Sequence, residues 1–229
     1  MRRPLVLAHR GASRAATENT PEAFRLALTL GADGVELDTR RAGRGELVVH
    51  HDPELAGTPV RRLVEPPLPG LAAALDASTG GIVNVELKTD GDVPGGVAAA
   101  FCGLLRRRGG RDRVLASSFD PVALRTVRVL RPDIPTALVV GPDGDLGAAL
   151  REAVRVRHRA LHPRSELVDS SLVERARALG LALHAWTVND ADELQRFAGL
   201  GVDGLITDVP DVALSVLSAP LPSGARTPA

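Results

Sequence analysis

Eight short apolar runs alternate with stretches of helix length along the 229 residues, and that alternation constrains the fold more than any other feature. The runs are Leu5–His9, Gly34–Thr39, Ile82–Lys88, Val114–Phe119, Thr136–Val140, Ala160–His162, Ala182–Val188 and Leu205–Thr207. Between most of them lie helical patterns such as Pro21–Leu30, Val93–Arg108, Pro121–Leu130, Leu146–Arg157, Ser170–Leu179 and Ala191–Ala198. Strands in strict alternation with helices imply parallel β/α units. The expected fold is α/β, a single (β/α)8 TIM barrel, compact because such barrels typically need about 250 residues.

Local chemistry agrees. Thr20 is a good N-cap, Pro21 suits the first helical position, and Gly31 suits a left-handed stop after Leu30. LGADGVELD (30–38) and LGVDGLITD (200–208) repeat one helix exit and strand start. RAGRGELVVHHDP (41–53) reads as a turn and an extra short strand after the second barrel strand. The segment from Pro53 to Pro69 has no period and reads as an excursion loop. No domain boundary is visible: residues 1–218 form one expected barrel, and 219–229 an expected disordered tail.

Composition narrows the function. Hydrophobic residues make up 44 %, but with no Tyr, one Trp and four Phe the core must be built of Val, Leu and Ala. The formal net charge is zero and no long block of one sign occurs, which argues against a nucleic-acid or membrane surface as partner. The apolar run of MRRPLVLAHRG is too short for a signal peptide, and no window reaches the ~18 apolar residues of a membrane span, so a cytoplasmic protein without a membrane anchor is expected. The single cysteine, Cys102, fits an apolar helix face as core filler.

The chemistry gathers at strand ends, where barrel enzymes place it. Residues two apart share a strand face. His9 ends the first strand, Glu36 and Asp38 share a face of the second, and Glu86 and Lys88 share a face of the third. Lys88 is the only lysine among 28 basic residues. Three carboxylates against one ammonium are costly to bury unless something cationic joins them, and a hard divalent ion, Mg²⁺ or Ca²⁺, suits oxygen ligands. His51 ends the extra strand, with His50 on its opposite face, so His9 and His51 are candidates for general acid and base. His158, in an Arg-rich helix, reads as a surface residue, His162 as a rim residue, His184 as a polar residue of the barrel interior, and Trp186 as a wall of the mouth.

Taken together, HRGASRAATENTPEAFRLALTLGADGVELDTR, ELVVHHDP, NVELKT, SSF, HAWTVND and GVDGLITDVP resemble the glycerophosphodiester phosphodiesterase family, from about Leu5 to Asp211. The resemblance implies a TIM barrel that hydrolyses glycerophosphodiesters to glycerol 3-phosphate and an alcohol with one divalent cation. It implies His9 and His51 as the acid–base pair and Glu36, Asp38 and Glu86 as metal ligands. It further implies that Arg10 binds phosphate, that Lys88 sits beside metal and phosphate, that Trp186 borders the substrate and that Glu18 braces Arg10. The chain departs from the family pattern at Thr17, where Pro is common, and at Arg44-Gly45, where Asp-Gly is common. The stretch after His51, HDPELAGTPVRRLVEPPLPG, is abbreviated where the family carries a longer insertion over the substrate. Lysophospholipase D-like or sphingomyelinase D-like chemistry on the same barrel is the nearest rival, although those relatives typically carry a signal peptide and disulfides. A non-catalytic barrel binding phosphate compounds is the second.

Overall fold

The computed structural model describes residues 3–89, 92–109 and 113–218; the expected tail, 219–229, lies outside them. In chain order the elements are β1 (Leu5–His9), α1 (Pro21–Thr29), β2 (Gly34–Arg41), β3 (Leu47–Val49), β4 (Glu54–Leu55), β5 (Thr58–Pro59), α2 (Leu71–Ala77), β6 (Ile82–Leu87), α3 (Gly96–Arg108), β7 (Val114–Ser118), α4 (Pro121–Leu130), β8 (Thr136–Val140), α5 (Leu146–Val156), β9 (Ala160–Pro163), α6 (Ser170–Ala178), β10 (Ala182–Ala185), α7 (Ala191–Leu200), β11 (Gly204–Thr207) and α8 (Pro210–Ser218). Eight strands pair in parallel in the order β1-β11-β10-β9-β8-β7-β6-β2, and β1 pairs with β2 to close the ring. β3 lies antiparallel on β2, with Thr39 opposite Val49, which is the extra strand read from the sequence.

Side-chain caps start most helices. Thr20, Asp120, Asp145, Asp169 and Asp190 each accept a hydrogen bond from a backbone N–H in the first turn of α1, α4, α5, α6 and α7. Such caps are typically worth about 1 kcal/mol each. The repeated segments use one further device. Asp33 accepts a hydrogen bond from the Val6 amide of β1 at 2.8 Å, and Asp203 accepts one from the Leu183 amide of β10 at 2.9 Å, so each ties its own strand to a neighbour. The glycine that follows is needed for space: a Cβ at Gly34 would stand 2.1 Å from the Ile82 carbonyl oxygen, and one at Gly204 would stand 2.8 Å from the His184 ring.

Apolar faces of the helices pack on the outside of the barrel, with Phe24, Phe101 and Phe197 fully buried there beside Val, Leu and Ala. Cys102 is buried in the same layer, as expected. Three details differ from expectation. Residues 53–69 hold a short antiparallel ribbon, β4 with β5, and a 3-10 turn at Val60–Arg62. The strand holding His184 stops at Ala185, three residues early, because Trp186 leaves the ladder with a single bridge to Arg164. His158 is buried, not on the surface: its Nδ1 lies 2.8 Å from the Thr136 hydroxyl, and loss of hydration lowers its pKa to about 4.

Candidate active site

Alternation along the strands sends every second side chain into the barrel. At the C-terminal end these inward residues are His9, Glu36, Asp38, Asn84, Glu86, Ser117, Val139, His162 and Ile206, and they line a small cavity of about 110 Å³ with Arg10, His51, Lys88, Phe119 and Trp186. Every residue that the sequence marked for chemistry, except Glu18, therefore lines one pocket. Glu18 stands beside it: both its oxygens accept from one Arg10 guanidinium nitrogen, at 2.9 and 3.1 Å.

Glu36, Asp38 and Glu86 each offer one oxygen within 4.8 Å of the others. Two ligands on opposite sides of a Mg²⁺ or Ca²⁺ ion are about 4–5 Å apart, so the three oxygens fit around one such ion. Glu36 Oε1 is buried without a hydrogen-bond partner, which suits a donor facing a cation. Burial and then the Asp38 charge push the Glu36 carboxyl up to about 8. Asp38 goes the other way. Burial opposes its ionisation, but Lys88 and Arg10 outweigh that and hold its pKa below the usual value. Lys88 Nζ lies 3.0 Å from Asp38 Oδ1 and in close ion-pair contact with Glu86 Oε1, while Arg10 Nε lies 3.1 Å from Asp38 Oδ2. Asn19 fixes Asp38 from behind: its amide donates to Oδ2 at 3.0 Å and its Oδ1 accepts from the Asp38 backbone N–H. Asn19 and Arg10 both hold left-handed backbone, φ 58° and 57°, where Asn is tolerated better than most residues.

Each histidine is oriented by an aspartate. His9 Nδ1 lies 2.7 Å from Asp208 Oδ1, leaving Nε2 facing Glu36 at 3.9 Å. Burial alone would lower the His9 pKa, but the Asp208 hydrogen bond and the Glu36 charge raise it. Asp208 is itself held by Asn189 at 2.7 Å and Ser13 at 3.2 Å, and its pKa falls to about 2 because the His9 bond, followed by those from Asn189 and Ser13, outweighs burial. His51 Nδ1 lies 2.8 Å from Asp52, and the Arg40 guanidinium donates to the His51 carbonyl at 3.0 Å. Opposite them, Trp186 meets Phe119 edge to face at 5.7 Å, its indole N–H donating to the His162 carbonyl, and Lys88 Nζ stands 5.9 Å from the Phe119 ring.

Sequence reasoning missed Asp208, Asn189 and Asn19. The signal for Asp208 was present, because it occupies in the second repeat the place that Asp38 occupies in the first.

The chain is similar to known proteins in sequence and fold. The model of the "Glycerophosphoryl diester phosphodiesterase family" matches residues 9–65 and 83–212. A glycerophosphodiester phosphodiesterase of Caldanaerobacter subterraneus subsp. tengcongensis is 29 % identical, over 93 % of this chain and 97 % of the relative. Among solved structures, a phosphodiesterase of Oleispira antarctica in complex with the product sn-glycerol-3-phosphate superposes with a TM-score of 0.85 at 26 % identity, covering 95 % of this chain and 98 % of that one. A glycerophosphodiester phosphodiesterase of Thermotoga maritima gives 0.80 at 25 % identity, covering 94 % and 99 %. Matched in sequence across both halves of the barrel and in fold along nearly its whole length, the chain belongs to the glycerophosphoryl diester phosphodiesterase family.

Proposed function

We propose that this enzyme hydrolyses glycerophosphodiesters to glycerol 3-phosphate and the free alcohol, with His9 and His51 moving the protons. Glu36, Asp38 and Glu86 would hold one divalent cation, Mg²⁺ or Ca²⁺, and the catalytic unit lies within residues 1–218. The observation that carries the reading is the meeting of two Asp-oriented histidines with three mutually close carboxylates in one cavity. The bound cation would supply Lewis-acid polarisation of a phosphoryl oxygen.

The chain's own residues do the rest. With Nδ1 bonded to Asp208 or Asp52, each imidazole keeps its Nε2 free to take or give a proton. One histidine removes a proton from the nucleophile and the other protonates the departing alcohol oxygen, each typically worth about 10²–10⁴-fold. Arg10 and Lys88 offset charge that builds on the phosphoryl oxygens. Trp186 and Phe119 give the glycerol carbons an apolar wall. The product bound in the Oleispira antarctica relative supports the same half-substrate here.

The test is a panel of glycerophosphodiesters and lysophospholipids assayed with Mg²⁺, Ca²⁺ or chelator. Turnover of glycerophosphodiesters that stops on chelation and returns with either ion is the expected result. Hydrolysis surviving complete chelation would refute the cation's role, and turnover of the lysophospholipids alone would move the enzyme to the lysophospholipase D-like reading.

A further inference from the structure

We propose that the opposite, N-terminal mouth of the barrel is a second binding site, for a small amphipath with one acid head, a carboxylate or phosphate, on a single alkyl chain. A cavity of about 930 Å³ opens there, within the range of small-molecule sites, about 300–1,000 Å³. TIM barrels ordinarily fill their interior with layers of bulky branched side chains. Here β9 and β10 begin with the inward residues Ala160 and Ala182, and these small side chains leave the lower barrel open.

The rim is basic. Arg3, Arg113 and Arg159 precede β1, β7 and β9, Arg131 follows α4, and Arg177 lies in the last turn of α6; Asp133 and Asp203 are the acidic residues of the lining. Most of these charges are engaged. Arg3 pairs with Asp33, Arg131 with Asp133 at 2.6 Å, and Arg177 donates to the Gly201 carbonyl, while Asp203 accepts from the Leu183 amide. Arg113 and Arg159 are exposed, and their side chains have no hydrogen-bond or ion-pair partner among the described residues. A chain of zero net charge thus gathers a cationic excess at this mouth.

The inner end is different. Leu7, Leu115 and Ala160 are buried there, with the His184 ring, 6 % exposed, whose Nδ1 has no partner. His184 stacks on His162 at 4.8 Å, and because His162 lines the catalytic cavity, the stacked pair stands between the two sites. A deep apolar floor under a ring of arginines suits an alkyl chain pointing inward with its acid at the rim, where charge-assisted hydrogen bonds from guanidinium groups are strong. A polyanion such as nucleic acid would leave that floor unused.

Calorimetric titration of the whole enzyme, with saturating glycerol 3-phosphate to occupy the catalytic pocket, tests this. Decanoate and decyl phosphate distinguish the two heads; acetate and inorganic phosphate supply the head alone, and decanol the body alone. Saturable one-to-one binding of at least one decyl acid with Kd below about 1 mM is expected. Acetate, inorganic phosphate and decanol should bind at least about tenfold more weakly, because each keeps only half of the contacts. The double variant Arg113→Glu, Arg159→Glu should weaken the decyl acid by at least about tenfold while glycerophosphodiester turnover stays unchanged, since neither side chain makes a hydrogen bond or ion pair among the described residues and the backbone bonds at both positions are kept. Decyl acids that fail to saturate, inorganic phosphate that binds as tightly as decyl phosphate, or a double variant with unaltered affinity would each overturn the proposal.

Discussion

Replacing Glu36 with Gln should stabilise the cation-free protein at alkaline pH while abolishing its activity. The Glu36 carboxyl is buried beside Asp38, and its pKa stands at about 8 against 4.5 for the ordinary group. An acid whose folded pKa is raised binds more protons folded than unfolded, so its contribution to stability falls as pH rises from 4.5 towards 8. Integrated between pH 5 and pH 8, that displacement costs the wild type about 3 kcal/mol, a large part of the ~5–15 kcal/mol that domains possess. Gln cannot ionise, and its amide can still accept from the Arg10 N–H that now reaches Glu36 Oε2 at 3.2 Å. The assay is urea unfolding of both proteins in chelator at several pH values, taking the difference between them so that titrating groups remote from Glu36 cancel. The variant should gain on the wild type steadily with pH, by about 3 kcal/mol across that window. Adding Mg²⁺ or Ca²⁺ should then stabilise the wild type, by about 2.7 kcal/mol at a hundred times Kd, and the variant far less. A difference that stays flat with pH, or a variant less stable than the wild type at pH 8, would refute the reasoning.

Lys88→Arg keeps the charge but replaces a compact ammonium set between Asp38 and Glu86 with a planar fork, so kcat/KM should fall by at least about tenfold, or 1.4 kcal/mol. Asp208→Asn removes the anion that raises the His9 pKa; the limb of the pH–rate profile belonging to His9 should move to lower pH, and kcat should drop by at least about tenfold, near-normal kinetics counting against the pairing. His9→Ala and His51→Ala, measured separately with excess cation, should each lose about 10²–10⁴-fold in kcat while circular dichroism stays native.

How much the sequence disclosed depends on the scale of the interaction. The barrel was legible because strand and helix periods differ and the caps Thr20 and Pro21 mark a boundary locally. Glu36 with Asp38, and Glu86 with Lys88, were legible because two-residue spacing on a strand places side chains together without knowledge of the fold. The buttress of His9 was not, since Asp208 lies 199 residues away and only ring closure through the β1–β11 pairing brings it near. His158 looked exposed among arginines because its burial depends on Thr136, in a strand it does not belong to. Helix α2 was missed for a local reason: Leu71–Ala77 is only seven residues, follows a Pro-rich run, and starts without a side-chain cap.

The pocket floor is fixed by buried carboxylates, but His51 opens outward, its side chain 40 % exposed, beside a ribbon of only two residues per strand. Among the described residues, a leaving group extending past His51 on that side would meet the solvent that already reaches the ring. Selectivity would then reside in the retained glycerophosphate half, and headgroups as unlike as choline and inositol would be turned over at similar rates.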